Sequence, residues 1–165
     1  MILTKPEIEK AIAQKQVVIE PYDPVAVGPA SVDLTLHHEI RVFTPGQIID
    51  EEADYHKITK VIDITKGYHL KPGELILGIT TEKISLPANI CAWLNSRSRY
   101  ARIGLMSHIT APFIAPGVSN KQVLEIYNAG CNTILLKPGT KICHLILQQC
   151  KGEATYKGRW SNQEL

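Results

Sequence analysis

Apolar and polar residues alternate over short stretches through most of the chain, which is the pattern of β-strands with one buried face. Proline and glycine separate many of these stretches, as expected for turns. The pattern therefore predicts a mainly β fold. We expect ten short strands, at residues 17–19, 31–36, 40–43, 58–64, 68–70, 75–80, 92–94, 123–127, 133–136 and 142–147.

One helix is predicted at the start of the chain. Thr4 and Glu7 have the spacing of a capping box, in which each side chain bonds the backbone N–H of the other residue. Pro6 falls in the first turn, where proline is favoured. Ile8 and the apolar residues one turn further share a face. We expect this helix to end near Lys15.

Four Pro-Gly dipeptides predict turns, because proline fixes a negative φ and glycine accepts the positive φ that a type II turn needs next. Two of them stand in nearly identical settings between apolar strands, and we interpret these two as equivalent hairpin corners of a sandwich or barrel. The expected fold class is all-β with one short N-terminal helix. The dipeptides are Pro45-Gly46, Pro72-Gly73, Pro116-Gly117 and Pro138-Gly139, of which the second and fourth are the similar pair.

The composition supports this fold and indicates a single domain. The chain holds 21 isoleucines against 12 alanines, which favours strands over helices. Its 165 residues, 44% hydrophobic and 21% charged, have the size and balance of one globular unit. We expect one domain over residues 1–165, in which the polar segment 151–165 forms a C-terminal arm that orders on a ligand or a neighbour.

Charge and apolar run lengths exclude several classes of protein. The net charge of +2 is too small for a protein that coats nucleic acid. No apolar run approaches the length of a transmembrane helix, and the N-terminus turns polar too early for a signal peptide. The cysteines form no C-x-x-C pair and the histidines no metal-ligand spacing. We expect a cytoplasmic protein without nucleic-acid or membrane partners.

Two segments carry candidate chemistry. Residues 95–102 hold three arginines and two serines, a density that suits a phosphate-rich ligand; a solvated charged turn is an equally weighted alternative. Glu125 lies in an apolar strand, where burial would raise its pKa into the range useful for proton transfer. On the residues alone, a solvent-facing Glu125 is the more frequent situation. His108 is interpreted as a hydrogen-bonded core histidine.

Taken together, these segments resemble the dCTP deaminase branch of the dUTPase superfamily. The order and spacing of the motifs match over most of the chain, and their combination is specific although each alone is weak. The matching segments are Ser31-Val32-Asp33-Leu34, Arg97 to Leu105, His108-Ile109-Thr110-Ala111, Pro116-Gly117, Val123 to Asn128 and the tail Tyr156 to Gln163.

The resemblance implies a distorted jelly-roll or β-clip barrel of the dUTPase type, assembled as a homotrimer with active sites between subunits. Glu125 falls on the family's catalytic glutamate, and Ser98, Arg102 and the carbonyl of Ala111 fall on groups that position the attacking water. The residues expected to bind the nucleotide are Arg97, Ser98, Arg99, Tyr100, Ala101 and Arg102 at the triphosphate, Val123, Leu124 and Glu125 at the base, and Tyr156, Arg159 and Gln163 in the arm.

The implied reaction is deamination of dCTP at C4 of cytosine without zinc. The sequence lacks the H-x-E and P-C-x-x-C elements of zinc deaminases, so a carboxylate has to activate the water. No protein-bound metal is expected, and Mg²⁺ would accompany the triphosphate. The product would be dUTP or dUMP, with ammonia.

One loop departs from the family pattern. Ala115 stands where the family has an aspartate that faces the deoxyribose and, in pyrophosphate-cleaving members, the hydrolytic water. Val118 replaces an aromatic residue, and Asn120 stands where glycine is common. Three interpretations stay open, in this order: a dCTP deaminase, a dUTP diphosphatase, and a noncatalytic nucleotide-binding trimer with a regulatory role.

Overall fold

The computed structural model describes residues 1–158, 160, 163 and 165. Eleven strands and three short α-helices make up its regular structure, with a 3₁₀ turn at Pro24–Ala26. The helices are α1 (Lys5–Ala13), α2 (Tyr55–Ile58) and α3 (Ser98–Ala101). The strands are β1 (Val18–Glu20), β2 (Val32–Phe43), β3 (Thr59–Asp63), β4 (Tyr68–Leu70), β5 (Leu75–Ser85), β6 (Ile90–Ser96), β7 (Leu105–Met106), β8 (Phe113–Ile114), β9 (Ser119–Asn128), β10 (Ile134–Leu136) and β11 (Lys141–Gln149).

The strands form one large curled antiparallel sheet and one small sheet. Seven strands of the large sheet follow the order β7-β9-β5-β2-β11-β6-β8, while β1 pairs with β5 and β3 with β2. Strands β10 and β4 pair separately. Register shifts in β2, β5 and β11 bend the sheet. The expected all-β fold, a distorted jelly-roll with a short N-terminal helix, is confirmed.

The helix at the start forms, but it is not capped as expected. Thr4 occupies the N-cap position, and within the described helix its side chain makes no capping hydrogen bond, so the predicted capping box is wrong. The helix ends at Ala13, slightly before the predicted position. Lys15 has a φ of +56°, a left-handed conformation that cannot continue a helix. Ile8 is fully buried and anchors the helix to the core.

The strand predictions are largely confirmed, with one merger and two omissions. The strands expected at 31–36 and 40–43 form the single strand β2, which shifts its register on β5 between Leu36 and Ile40. The two-residue strands β7 and β8 were not predicted, because a period of two cannot be read from two residues. Residues 50–54 form a loop that is exposed at 50–52 and half-buried at Ala53 and Asp54, and Asp54 caps α2 by accepting a hydrogen bond from the His56 N–H (3.0 Å).

The Pro-Gly turns have the expected backbone, although two of them are not hairpins. All four glycines have a positive φ, between +74° and +90°. The turns at Pro72-Gly73 and Pro138-Gly139 are equivalent, since the strands before them, β4 and β10, pair with each other. Each turn leads from this small sheet into the large one, so the hairpin interpretation is wrong.

The core lies between the curled faces of the sheet and consists mainly of isoleucine and leucine. Fully buried examples come from β2, β5, β9 and β11, and each contributes about 1.5–3 kcal/mol by leaving water. This need for β-branched and leucine side chains explains the isoleucine-rich composition. None of the helices in the described part of the chain is long and apolar enough to cross a bilayer. Representative core residues are Leu34, Leu36, Ile76, Leu124, Ile126 and Leu145.

Candidate functional site

A cavity of about 500 Å³ opens beside strand β9, and Glu125 lies in its wall. Along β9 the side chains alternate, so that Leu124 and Ile126 are buried in the core while Val123 and Glu125 line the cavity. The opposing residue on β5 is Leu77, which also lines the cavity. The strand therefore presents one carboxylate to a largely apolar enclosure.

The loop before β8 holds the Glu125 carboxylate from one side. Oε2 accepts hydrogen bonds from the backbone N–H of Ile109 (3.0 Å) and of Thr110 (2.6 Å), and the Thr110 hydroxyl donates to Oε1 (3.1 Å). Hydrogen bonds of this kind favour the charged form of a carboxyl group. The loop therefore fixes both the orientation and the ionisation of Glu125.

The pKa of Glu125 is lowered, whereas the sequence led us to expect a raised value. Burial raises the pKa of this carboxyl, but the hydrogen bonds from Thr110, Ile109 and the backbone of Ala111 together outweigh burial. That expectation is wrong because the compensating donors are mostly backbone groups of a loop, which the strand pattern does not reveal. At neutral pH, Glu125 is a carboxylate ready to accept a proton.

His108 lies next to this carboxylate and is not the hydrogen-bonded core histidine that we expected. Burial lowers the pKa of the ring. The nearby Glu125 and the Leu94 carbonyl raise this pKa, but by less, so the net shift is downward. Among the described residues, neither ring nitrogen has a partner in hydrogen-bond geometry. Because its pKa is lowered, the ring is neutral at pH 7, and Glu125 on β9 is the charged group beside it.

The C-terminal arm lies over the same cavity. Tyr156, Trp160 and Gln163 line it, and the backbone N–H of Tyr156 donates to the Pro116 carbonyl (2.9 Å). The Gln163 amide donates to the Lys121 carbonyl (2.9 Å). Two of the three predicted arm residues therefore lie with Glu125, and the third, Arg159, falls outside the described residues.

The loop that departs from the family pattern forms another part of the wall. Ala115, Val118 and Asn120 all line the cavity. Asn120 accepts a hydrogen bond from the Gln122 amide (2.7 Å) and donates one to the Trp160 carbonyl (2.8 Å). In the described part of the lining, Glu125 is the only carboxylate.

The arginine-rich turn lies elsewhere in the chain, on α3 and its flanks. Arg97 donates to the Lys141 carbonyl (3.1 Å) and pairs with Asp33 (3.2 Å). Arg99 stands over the ring of Tyr100, with 5.6 Å to the centroid. The exposed residues of this turn are Ser98, Arg99, Ala101 and Arg102. Within the described chain, none of residues 97–102 lines the cavity that holds Glu125.

The structure thus gathers part of the predicted site and adds residues that sequence reasoning missed. Ala111, Val123, Glu125, Tyr156 and Gln163 line one cavity. Leu124 does not, because its side chain is fully buried in the core. The missed residues are the backbone donors of the loop and aromatic residues far away along the chain, neither of which has a periodic sequence signal. They are Ile109 and Thr110 for the donors, and Phe43, Tyr55, Phe113 and Trp160 for the aromatic wall.

Known proteins share sequence with this chain over most of its length. The model of the dCTP deaminase-like family matches residues 2–150. A relative from Kocuria rhizophila named "dCTP deaminase, dUMP-forming" is 34% identical over 174 aligned positions, covering 99% of this chain and 91% of the relative. A protein from a Marinomonas species named "dCTP deaminase" is 38% identical, covering 93% of this chain and 86% of that protein.

A solved structure shares the fold. The crystal structure of the 2′-deoxycytidine 5′-triphosphate deaminase from Agrobacterium tumefaciens superimposes with a TM-score of 0.72 at 20% identity. The match covers 88% of this chain and 46% of that one, so the chain spans about half the length of that solved protein. The family match covers most of the sequence, and two relatives exceed 30% identity over nearly their whole length. The chain belongs to the dCTP deaminase-like family.

Proposed function

We propose that the protein deaminates dCTP at C4 of cytosine, without zinc, and releases ammonia and a deoxyuridine nucleotide, dUTP or dUMP. The observation that carries this proposal is an ionised Glu125, held by the N–H groups of Ile109 and Thr110 in the wall of a cavity. Its volume of about 500 Å³ lies within the range of small-molecule sites. The two relatives are named as dCTP deaminases, which supports the same substrate.

The chemistry assigned to Glu125 is proton transfer. Water attacks C4 while the carboxylate accepts a proton from it, and the same proton is then delivered to N3 of the ring. The tetrahedral centre collapses, the C4–N bond breaks, and the amino group leaves as ammonia after taking the second proton of the water. A glutamate with a lowered pKa is suited to the first step, because it is fully ionised at neutral pH.

We propose that a second copy of the chain supplies Ser98, Arg102 and the triphosphate turn, in a homotrimer. The exposed position of Ser98, Arg99 and Arg102, away from the cavity that holds Glu125, supports this assignment. Arginine forks and serine hydroxyls bind phosphate oxygens well. Mg²⁺ would enter with the triphosphate as its counterion.

Mixing two inactive variants tests the shared site. Glu125→Gln removes the proton acceptor, and Arg102→Ala removes an arginine that a neighbouring subunit would supply. In a mixed trimer, a site is intact wherever a subunit with an unaltered Glu125 faces a subunit with an unaltered Arg102. Random mixing should restore about a quarter of the wild-type rate. Each variant alone and a mixture of Glu125→Gln with Glu125→Ala are the controls. Recovery that stays at the level of the controls would contradict a shared site.

Ala115 argues against a dUTP diphosphatase. Its methyl group cannot orient a water for attack on a phosphate, and the described lining holds no carboxylate besides Glu125. The assay incubates the protein with dCTP or with dUTP, each with Mg²⁺, and separates the products. Ammonia together with dUTP or dUMP from dCTP supports the proposal. Pyrophosphate from dUTP would favour the diphosphatase, and binding without turnover would favour a noncatalytic role.

A further inference from the structure

A second group of chemically active side chains lies in β2, outside the Glu125 cavity. Leu36 pairs with Thr80 and Ile40 with Gly78, so the three residues of β2 between Leu36 and Ile40 oppose one residue of β5, and this segment is a bulge. In a regular strand, consecutive side chains point to opposite faces. The bulge breaks this alternation and brings the donor atoms of His37, His38 and Glu39 within 4.8 Å of one another.

The bulge is held by its neighbours in the sheet. The N–H of Ile64, directly after β3, donates to the His38 carbonyl (2.7 Å), and Glu39 lies opposite Asp63 of β3 in the register. The imidazoles of His37 and His38 lie side by side, with ring centroids 4.0 Å apart. The backbone that positions these donors is therefore set by the fold.

Among the described residues, Nδ1 of His37 is buried and has no hydrogen-bond partner. An unpartnered buried nitrogen costs free energy, which a ligand bound to its lone pair would recover. The Glu39 Oε2 lies 3.7 Å from this nitrogen. Ligands at about 2.0–2.2 Å around one tetrahedral ion are separated by slightly less than this distance.

We propose that His37, His38 and Glu39 form a binding site for a divalent transition metal such as Zn²⁺. Two imidazoles and one carboxylate suit this class of ion better than Mg²⁺ or Ca²⁺, which prefer oxygen ligands. Three protein ligands leave a fourth position for water. His37 and Glu39 line a cavity of about 440 Å³, which gives this position access to solvent.

The charges around the cluster are mixed. Lys83 and Lys121 line the same cavity and lie opposite each other in the β5–β9 pair. Their positive charges make the binding of a cation less favourable. Asp63 lies beside His38, and its negative charge makes the binding of a cation more favourable. The cluster contains none of the residues assigned to deamination, and its cavity shares only Asn120 and Gln163 with the described lining of the Glu125 cavity.

Cobalt is a direct probe, because tetrahedral Co²⁺ absorbs visible light. The full-length protein is freed of metal with EDTA, desalted and titrated with Co²⁺, followed by displacement with Zn²⁺. We expect saturation at one ion per chain. His38→Ala and Glu39→Gln should each weaken binding by about tenfold or more, since even the loss of an outer partner costs this much. His69→Ala, at an exposed histidine of β4, is the matched control and should bind as the wild type does.

A second measurement needs no substitution. Zn²⁺ added to ¹⁵N-labelled wild-type protein should shift the ring resonances of His37 and His38 and leave those of His69 unchanged. Failure of the wild type to bind Co²⁺ saturably, equal binding by the variants and the control, or ring shifts at other histidines alone would each overturn the site.

Discussion

Replacing Glu125 by glutamine should abolish most of the deamination while leaving the fold intact. The amide has nearly the same shape, but it cannot accept the proton of the attacking water. General-base catalysis is worth about 10²–10⁴ in rate, so kcat should fall by at least about 100-fold. Nucleotide affinity should change little, because the cavity keeps its shape.

The effect on stability follows from the hydrogen bonds of the loop. If the amide oxygen takes the place of Oε2, it still accepts from the N–H groups of Ile109 and Thr110. The Thr110 hydroxyl can rotate and accept from the new NH₂ group. The bonds lose their charge assistance, and this should cost about 1–2 kcal/mol in the free energy of unfolding.

The assay measures ammonia release under single-turnover conditions, dCTP binding by calorimetry and unfolding by urea. Glu20→Gln, an exposed change on β1, is the control for the loss of one charge. Near wild-type deamination by Glu125→Gln would refute the assignment of the general base. If Glu125→Gln lost both its activity and its native fold, Glu125→Asp would separate the two effects. This variant keeps the charge and should retain part of the activity.

Further predictions concern the arm, the altered loop and pH. A chain ending at Thr155 should bind dCTP about tenfold more weakly, through lost hydrogen bonds of about 0.5–1.5 kcal/mol each, with Tm lowered by about 2–4 °C; a much larger loss of Tm in thermal unfolding would contradict this. Ala115→Asp should tighten nucleotide binding and introduce pyrophosphate release from dUTP, which chromatography should not detect for the wild type. Because the pKa of Glu125 is lowered, its carboxylate persists at mildly acidic pH; the decrease in kcat/KM on acidification should lie below the ordinary glutamate range, and a decrease near pH 6–7 would contradict this.

The strands could be predicted because their signal is local. Apolar and polar residues alternate along β5 and β9 because one face of each strand is buried. This pattern can be read from the sequence without knowing which strands pair with each other. The bulge in β2 could not be predicted, since two histidines in succession look like the end of a strand. It forms because β2 changes its register on β5 there, and that depends on residues about forty positions away.

The sequence allowed prediction of those parts of the site in which a side chain, and not a backbone group, performs the chemistry. The strand pattern placed Glu125 among apolar residues, and the resemblance assigned its role. The direction of its pKa shift was not predictable, because the N–H groups of Ile109 and Thr110 carry no residue-type signature and meet Glu125 only after folding. The separation of Arg102 from Glu125 likewise depends on where α3 leaves β6, which alternation does not encode.

The two sides of Glu125 shift its pKa in opposite directions, and the net shift decides whether the carboxyl group starts the reaction as a proton acceptor or as a proton donor. On the β5 side, Leu77 removes water from the carboxyl and favours its neutral form. On the loop side, Ile109 and Thr110 favour the charged form and dominate. A carboxylate that keeps its charge in a half-buried cavity is a ready proton acceptor, and it becomes a proton donor only after it has taken a proton from water. The reaction order proposed for cytosine follows from this balance, because attack by water has to precede protonation of the ring.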